Sequence, residues 1–143
     1  MIKARGRSRS RDINKQLLYT YPEARQRLAE LEADHMTGRR REQQARRGNL
    51  PGDPTGRAGA ALAEDREAAA LEWHVKTVER ALERVRQECA PSIAAAVLEM
   101  AERVYFRREM TFYGYAARIG KAEKTVRRWN KILLTKLDEE ARS

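Results

Sequence analysis

Seven residues spaced alternately three and four apart (Ala68, Leu71, Val75, Val78, Leu82, Val85 and Cys89) form one apolar seam. That step averages 3.5, which keeps all of them on one side of an α-helix. A strand, whose faces alternate every second residue, would scatter them. The start of the helix is marked too. Asp53 is a good cap, and Pro54 suits a first helical position, where its missing N–H costs nothing. The spacing predicts a helix of about 35 residues ending near Cys89, a rod of about 50 Å. Such a rod needs something to lie against. Alanines across residues 58–70 permit close approach by another helix, while Trp73 stands off the seam and would widen the buried face or meet a second subunit.

The segment before it is also helical. From Asp12, a candidate cap, the residues Leu17, Tyr21, Ala24, Leu28 and Leu31 recur at steps of four and three. Pro22 should separate a short first helix from a second. The 17–31 stripe is expected to fold back on the seam as an antiparallel hairpin, and a second copy of the chain is an alternative partner. Between them lies an arginine-rich stretch, 38–52, read as a mobile linker. Residues 1–11 alternate arginine with small side chains and are expected to be disordered, either as a basic arm on DNA phosphates or as a solubilising tail.

Pro91 opens another helix, to about Phe106, with Ile93, Val97, Met100, Val104 and Tyr105 on one face. Then comes a denser pattern. Thr111 can cap a short helix that Gly120 ends, glycine entering the left-handed conformation without a Cβ penalty. A second helix starts near Ala122. Ala116 lies four residues before the glycine, small enough for a close crossing. Ile119, Val126, Trp129 and Leu133 can form the core that fixes it. Lys124, Arg127, Arg128 and Lys131 fall on the opposite face. This is the pattern of a helix-turn-helix, whose second helix enters the major groove of DNA. The expected fold is therefore all-α. It comprises a helical hairpin with a heptad-patterned long helix over 12–90, then a three-helix helix-turn-helix unit over 91–143.

The charge agrees with a polyanionic partner. The net charge is +9, and it is uneven: +7 over residues 1–52, −2 over 53–90 and +4 over 91–143. One cysteine, Cys89, excludes an internal disulfide, and no apolar run is long enough for a membrane span. The chain reads as soluble and intracellular, with no membrane partner. His35, His74 and Cys89 have no companions at ligand spacing, so no metal or cofactor is expected. No nucleophile–base pair, carboxylate pair or phosphate loop is visible, so an enzyme is not expected.

Tyr21-Pro22 before a Leu/Glu helix, the Asp53-Pro54-Thr55-Gly56-Arg57-Ala58 start, Tyr105-Phe106 closing a helix and Thr125-Val126-Arg127-Arg128-Trp129 together resemble phage-encoded late-gene transcriptional regulators of the RinA/ArpU type. The C-terminal part of that family looks like DNA-binding region 4 of a sigma factor. The resemblance covers most of 12–137. It implies activation of late phage genes in the cytoplasm of a bacterial host, at the nucleoid. Double-stranded DNA would be the partner, with host RNA polymerase and a homodimer as further ones. It makes 122–137 the recognition helix, although Ala122 replaces the usual serine or threonine cap, so that Glu123 is expected to help at the helix N-terminus instead.

The DNA-contacting residues expected are Thr111, Arg118, Lys121, Lys124, Thr125, Arg127, Arg128 and Lys131. Phosphate contacts are expected from Arg5, Arg7, Arg9, Arg11, Arg39, Arg40, Arg41, Arg107 and Arg108. The alternative function is a DNA-recognition subunit for phage packaging, resembling a small terminase, which would form a ring. RNA binding is disfavoured, because Tyr113, Tyr115 and Trp129 are read as packing residues rather than a stacking platform.

Overall fold

A computed structural model describes the backbone of residues 2–45 and 54–143, with side chains over 11–34 and 62–143. All its regular elements are helical: α1 (Ile2–Tyr19), α2 (Tyr21–Ala45), α3 (Pro54–Glu88), α4 (Pro91–Met100), a π-helical turn (Ala101–Phe106), α5 (Phe112–Ile119) and α6 (Glu123–Arg142). The all-α expectation holds. So do the breaks at Pro22 and Pro91, the 35-residue length of α3 and its start at Pro54. The Asp53 cap lies outside the described residues.

Two expectations about the basic segments are corrected. Residues 2–11 belong to α1 rather than to a disordered arm, and Asp12 sits inside the helix, not at its cap. Arginine is a good helix former, and a helix once nucleated extends at little cost per residue. For the same reason α2 continues through the first part of the expected linker to Ala45. Residues 46–52 of that linker lie outside the described ones.

The chain forms two compact bodies, Met1–Pro22 with Val75–Ser143, and Glu23–His74. The division therefore does not fall at residue 90. The second half of α3 carries ion pairs to α6, Lys136 to Glu88 at 2.6 Å and Arg84 to both Glu139 and Glu140, which tie it to the C-terminal helices. In the smaller body Arg27 pairs with Glu67 at 2.8 Å, bringing α2 beside α3 as the hairpin reading requires. Ala24 and Leu31 are buried there, while Trp73 is half exposed. The heptad seam points inward along its length: Val75, Val78 and Val85 are buried, and Leu71, Leu82 and Cys89 partly so.

In the larger body α4, the π-turn, α5, α6 and α1 share one core. The π-turn is defined by wider bonds, such as Arg107 N–H to the Glu102 carbonyl at 2.8 Å, five residues back. It buries Ala101, Val104 and Tyr105 together. Tyr105 is fully enclosed, edge-on to Tyr19 of α1 and Phe112 of α5, with ring centroids 4.8 and 5.7 Å away. One aromatic side chain thus touches three elements.

Candidate nucleic-acid interface

The α5–turn–α6 unit is built from local signals. Thr111 is extended, and its hydroxyl accepts the Gly114 N–H at 3.1 Å, capping α5. Gly120 has φ +70°, in the left-handed region. The N–H of Lys121 then reaches back to the Ala116 carbonyl at 3.0 Å and that of Gly120 to Ala117 at 3.4 Å. These are the two bonds of a Schellman motif, and they stop α5 sharply. Three residues after Gly120, at Glu123, α6 begins.

Burial fixes how α6 is rolled. Val126, Leu133 and Leu137 have no exposed surface, and Trp129 and Leu134 very little. Ala116 and Tyr115 of α5 are buried with them, and Ile119 is half-buried. Asn130 adds a polar lock, its side-chain oxygen accepting the Tyr105 hydroxyl at 2.5 Å inside the core. Burial raises the Tyr105 pKa well above the phenol range, and the Tyr115 hydroxyl is raised by burial too. With that stripe buried, Lys124, Arg127, Arg128 and Lys131 are turned outward and exposed, as expected.

These cations are not equivalent. Arg127 pairs with Glu123 one turn earlier, at 2.7 and 2.9 Å, and lies over the Phe112 ring at 6.0 Å. Its side chain is still 62% exposed. Lys124, Arg128 and Lys131 have no partner among the described residues. Arg118, in the last turn of α5, and Lys121, in the loop, are exposed beside the start of α6. Ala122 makes no side-chain cap, and Glu123 lies in the first turn of α6, where its charge suits the helix N-terminus while its carboxylate also accepts from Arg127.

Other expected contacts are placed differently. Thr111 is exposed, but its hydroxyl is used as the α5 cap. Thr125 is half-buried, one turn before both Arg128 and Trp129, at the border between the basic and the buried face. Arg107 pairs with Glu102 at 2.9 Å and Glu109 at 3.7 Å. Arg108 donates to the Tyr19 carbonyl at 2.6 Å and stands over the Tyr19 ring. Both arginines hold the turn before α5 together and remain exposed. Arg11 is exposed, while the side chains of Arg5, Arg7, Arg9, Arg39, Arg40 and Arg41 lie outside the described ones.

Comparison with protein-family models, curated proteins and solved structures found no match to this chain. Its reading rests on its own geometry.

One expectation is corrected and one feature was not legible in sequence. Tyr113, expected to pack, is 70% exposed, whereas Tyr115 and Trp129 do pack. Two residues along a helix turn through about 200°, so Tyr113 and Tyr115 cannot face the same side, and that spacing was the available signal. The feature not legible is Lys15. It lines an open cleft of about 600 Å³ between α1 and α6, a neighbour that nothing local in the sequence announces. Among the described residues, no three His, Cys, Asp or Glu side chains lie close enough to hold a metal ion, and no helix is long and apolar enough to cross a membrane.

Proposed function

We propose that the chain is a sequence-specific, double-stranded-DNA-binding regulator of transcription that acts through α6. The supporting observation is the pairing of a Schellman-type stop at Gly120 with the rolled α6. That helix buries Val126, Trp129 and Leu133 and exposes Lys124, Arg127, Arg128 and Lys131 on one face. A helix held this way can enter the major groove, with its first turns over base edges. Arginine gives the best bidentate contact to guanine, about 1–3 kcal/mol of discrimination for each good pair. Lys121, Arg118 and the Tyr113 hydroxyl are suited to flanking phosphates, and phosphate contacts would dominate affinity and weaken with salt.

The resemblance to RinA/ArpU-type regulators extends the proposal. The targets are late phage genes, regulation is activation, and the site of action is the bacterial cytoplasm at the nucleoid. Host RNA polymerase and a second copy of the chain are the proposed protein partners, since two-fold proteins read paired half-sites.

The deciding experiment selects bound fragments from the genome of origin and then measures gel retardation. The double variant Arg127→Ala/Arg128→Ala should abolish specific retardation while helicity is unchanged. Normal binding by that variant would remove the assignment. The mass of the free protein in the same samples separates a dimer from the ring expected of a packaging subunit.

A further inference from the structure

We infer that α1 is a second DNA-contacting element. It forms, with α6, a cleft that takes the sugar–phosphate backbone beside the groove α6 enters. The inference rests on the DNA-binding reading above and names a separate set of residues for a separate part of the ligand.

The cleft is a built feature of the larger body. One wall carries Arg11 and Lys15 of α1, and the other carries Arg127, Lys131 and Arg142 of α6. Arg11 and Lys15 are four residues apart, as are Arg127 and Lys131, so each wall presents two cations one helical turn, about 6 Å, apart. Among the described residues one carboxylate lines the cleft, that of Asp138. It is already engaged, accepting from Arg142 at 3.1 Å and from the Asn14 amide at 3.5 Å. Arg11, Lys15 and Lys131 have no partner among the described residues. Arg11 and Lys131 are exposed and Lys15 half-buried; three cations held around one groove repel each other, and a polyanion relieves that repulsion.

The lining also indicates which anion fits. Among the described residues no aromatic ring borders the cleft, and Leu134 is the one large apolar residue there. A nucleotide base would therefore find neither a stacking surface nor an apolar pocket. A chain of phosphates needs neither. Continuity matters as well, because Arg127 and Lys131 belong to both the cleft and the outward face of α6. A strand held between the walls would be the one flanking the groove read by Lys124 and Arg128. Phosphate contacts of this kind fix register and orientation without reading sequence.

The test uses the full chain with the Arg11→Gln/Lys15→Gln double variant, and helicity as a folding control. Affinity for specific and for unrelated duplexes is measured against salt. Two lost phosphate contacts should lower the slope of log K against log salt by about 1.8 and weaken binding roughly fifty-fold near 0.1 M salt, leaving base preference unchanged. The charge-keeping variant Arg11→Lys/Lys15→Arg should restore both. An unchanged slope in the Gln variant, or failure of the charge-keeping variant to restore it, overturns the inference. If Arg127→Ala/Arg128→Ala still abolishes binding in that case, DNA recognition by α6 stands alone. A wild-type chain that binds no duplex removes both proposals together. Tight calorimetric binding of pyrophosphate, lost in the Gln variant while the salt slope is kept, would mark a small-anion site and also overturn it.

Discussion

The Tyr105 hydroxyl donates to the Asn130 side-chain oxygen at 2.5 Å, twenty-five residues away, with both groups inside the core. The bond joins the π-turn to the middle of α6. It lies one residue beyond Trp129, so it helps set the roll of the helix that carries the basic face. Removing one partner strands the other in an apolar setting. Tyr105→Phe should therefore cost about 1–3 kcal/mol, read as a lower denaturation midpoint with an unchanged denaturant slope. Adding Asn130→Leu to it should recover part of the loss, since the orphaned amide is then gone.

The same phenol makes the protein sensitive to alkali. In the unfolded chain Tyr105 would lose its proton near the ordinary value of 10.0, whereas burial holds it protonated in the folded state. A raised folded-state pKa contributes stability that is complete below about pH 10 and is lost as pH rises beyond it. In ultraviolet titration, the tyrosinate signal that Tyr105→Phe removes should appear together with the loss of helicity.

At the acid end the relevant pair is Glu88 and Lys136. The hydrogen bond from Lys136 is the main cause holding the Glu88 carboxyl below its ordinary 4.5, with Arg84 adding to it. A lowered folded-state pKa gives stability that is present above 4.5 and is lost as pH falls below it. Melting temperature measured from neutral pH downward should therefore drop more steeply in the native chain than in Glu88→Gln. Parallel curves would show that the pair contributes nothing.

Gly120→Ala separates backbone strain from steric fit. Nothing lies within 4 Å of where its Cβ would go, yet φ is +70°. The expected loss is about 1–2 kcal/mol of stability, from the left-handed conformation alone. Helix content should be kept, with DNA affinity changed less than by any substitution on the α6 face.

Arg127 and Arg128 should respond differently when changed singly. Arg128 has no protein partner among the described residues, so Arg128→Ala should leave stability within about 0.5 kcal/mol and cost about 1–3 kcal/mol of DNA binding. Arg127→Ala also loses Glu123 and the Phe112 face, so a further stability loss of about 0.5 kcal/mol should accompany its binding defect. Equal stability in the two variants would show that the Glu123 pair is idle.

What the sequence determined by itself was local. Thr111, Gly120, Pro54 and Pro91 set where helices start and stop, because each acts on hydrogen bonds or backbone angles within about five residues. The heptad seam and the Val126–Trp129–Leu133 spacing chose which faces turn inward, since periodicity is a property of one helix. Tertiary structure decided the partners. Arg108 looked like a free cation until the Tyr19 carbonyl, 89 residues away, was found to accept from it. Nothing local sets Lys15 apart; α6, its neighbour across the cleft, gives it its place. No short-range pattern encodes such meetings, because they depend on how whole helices pack, and packing sums many weak contacts that no single stretch of chain contains.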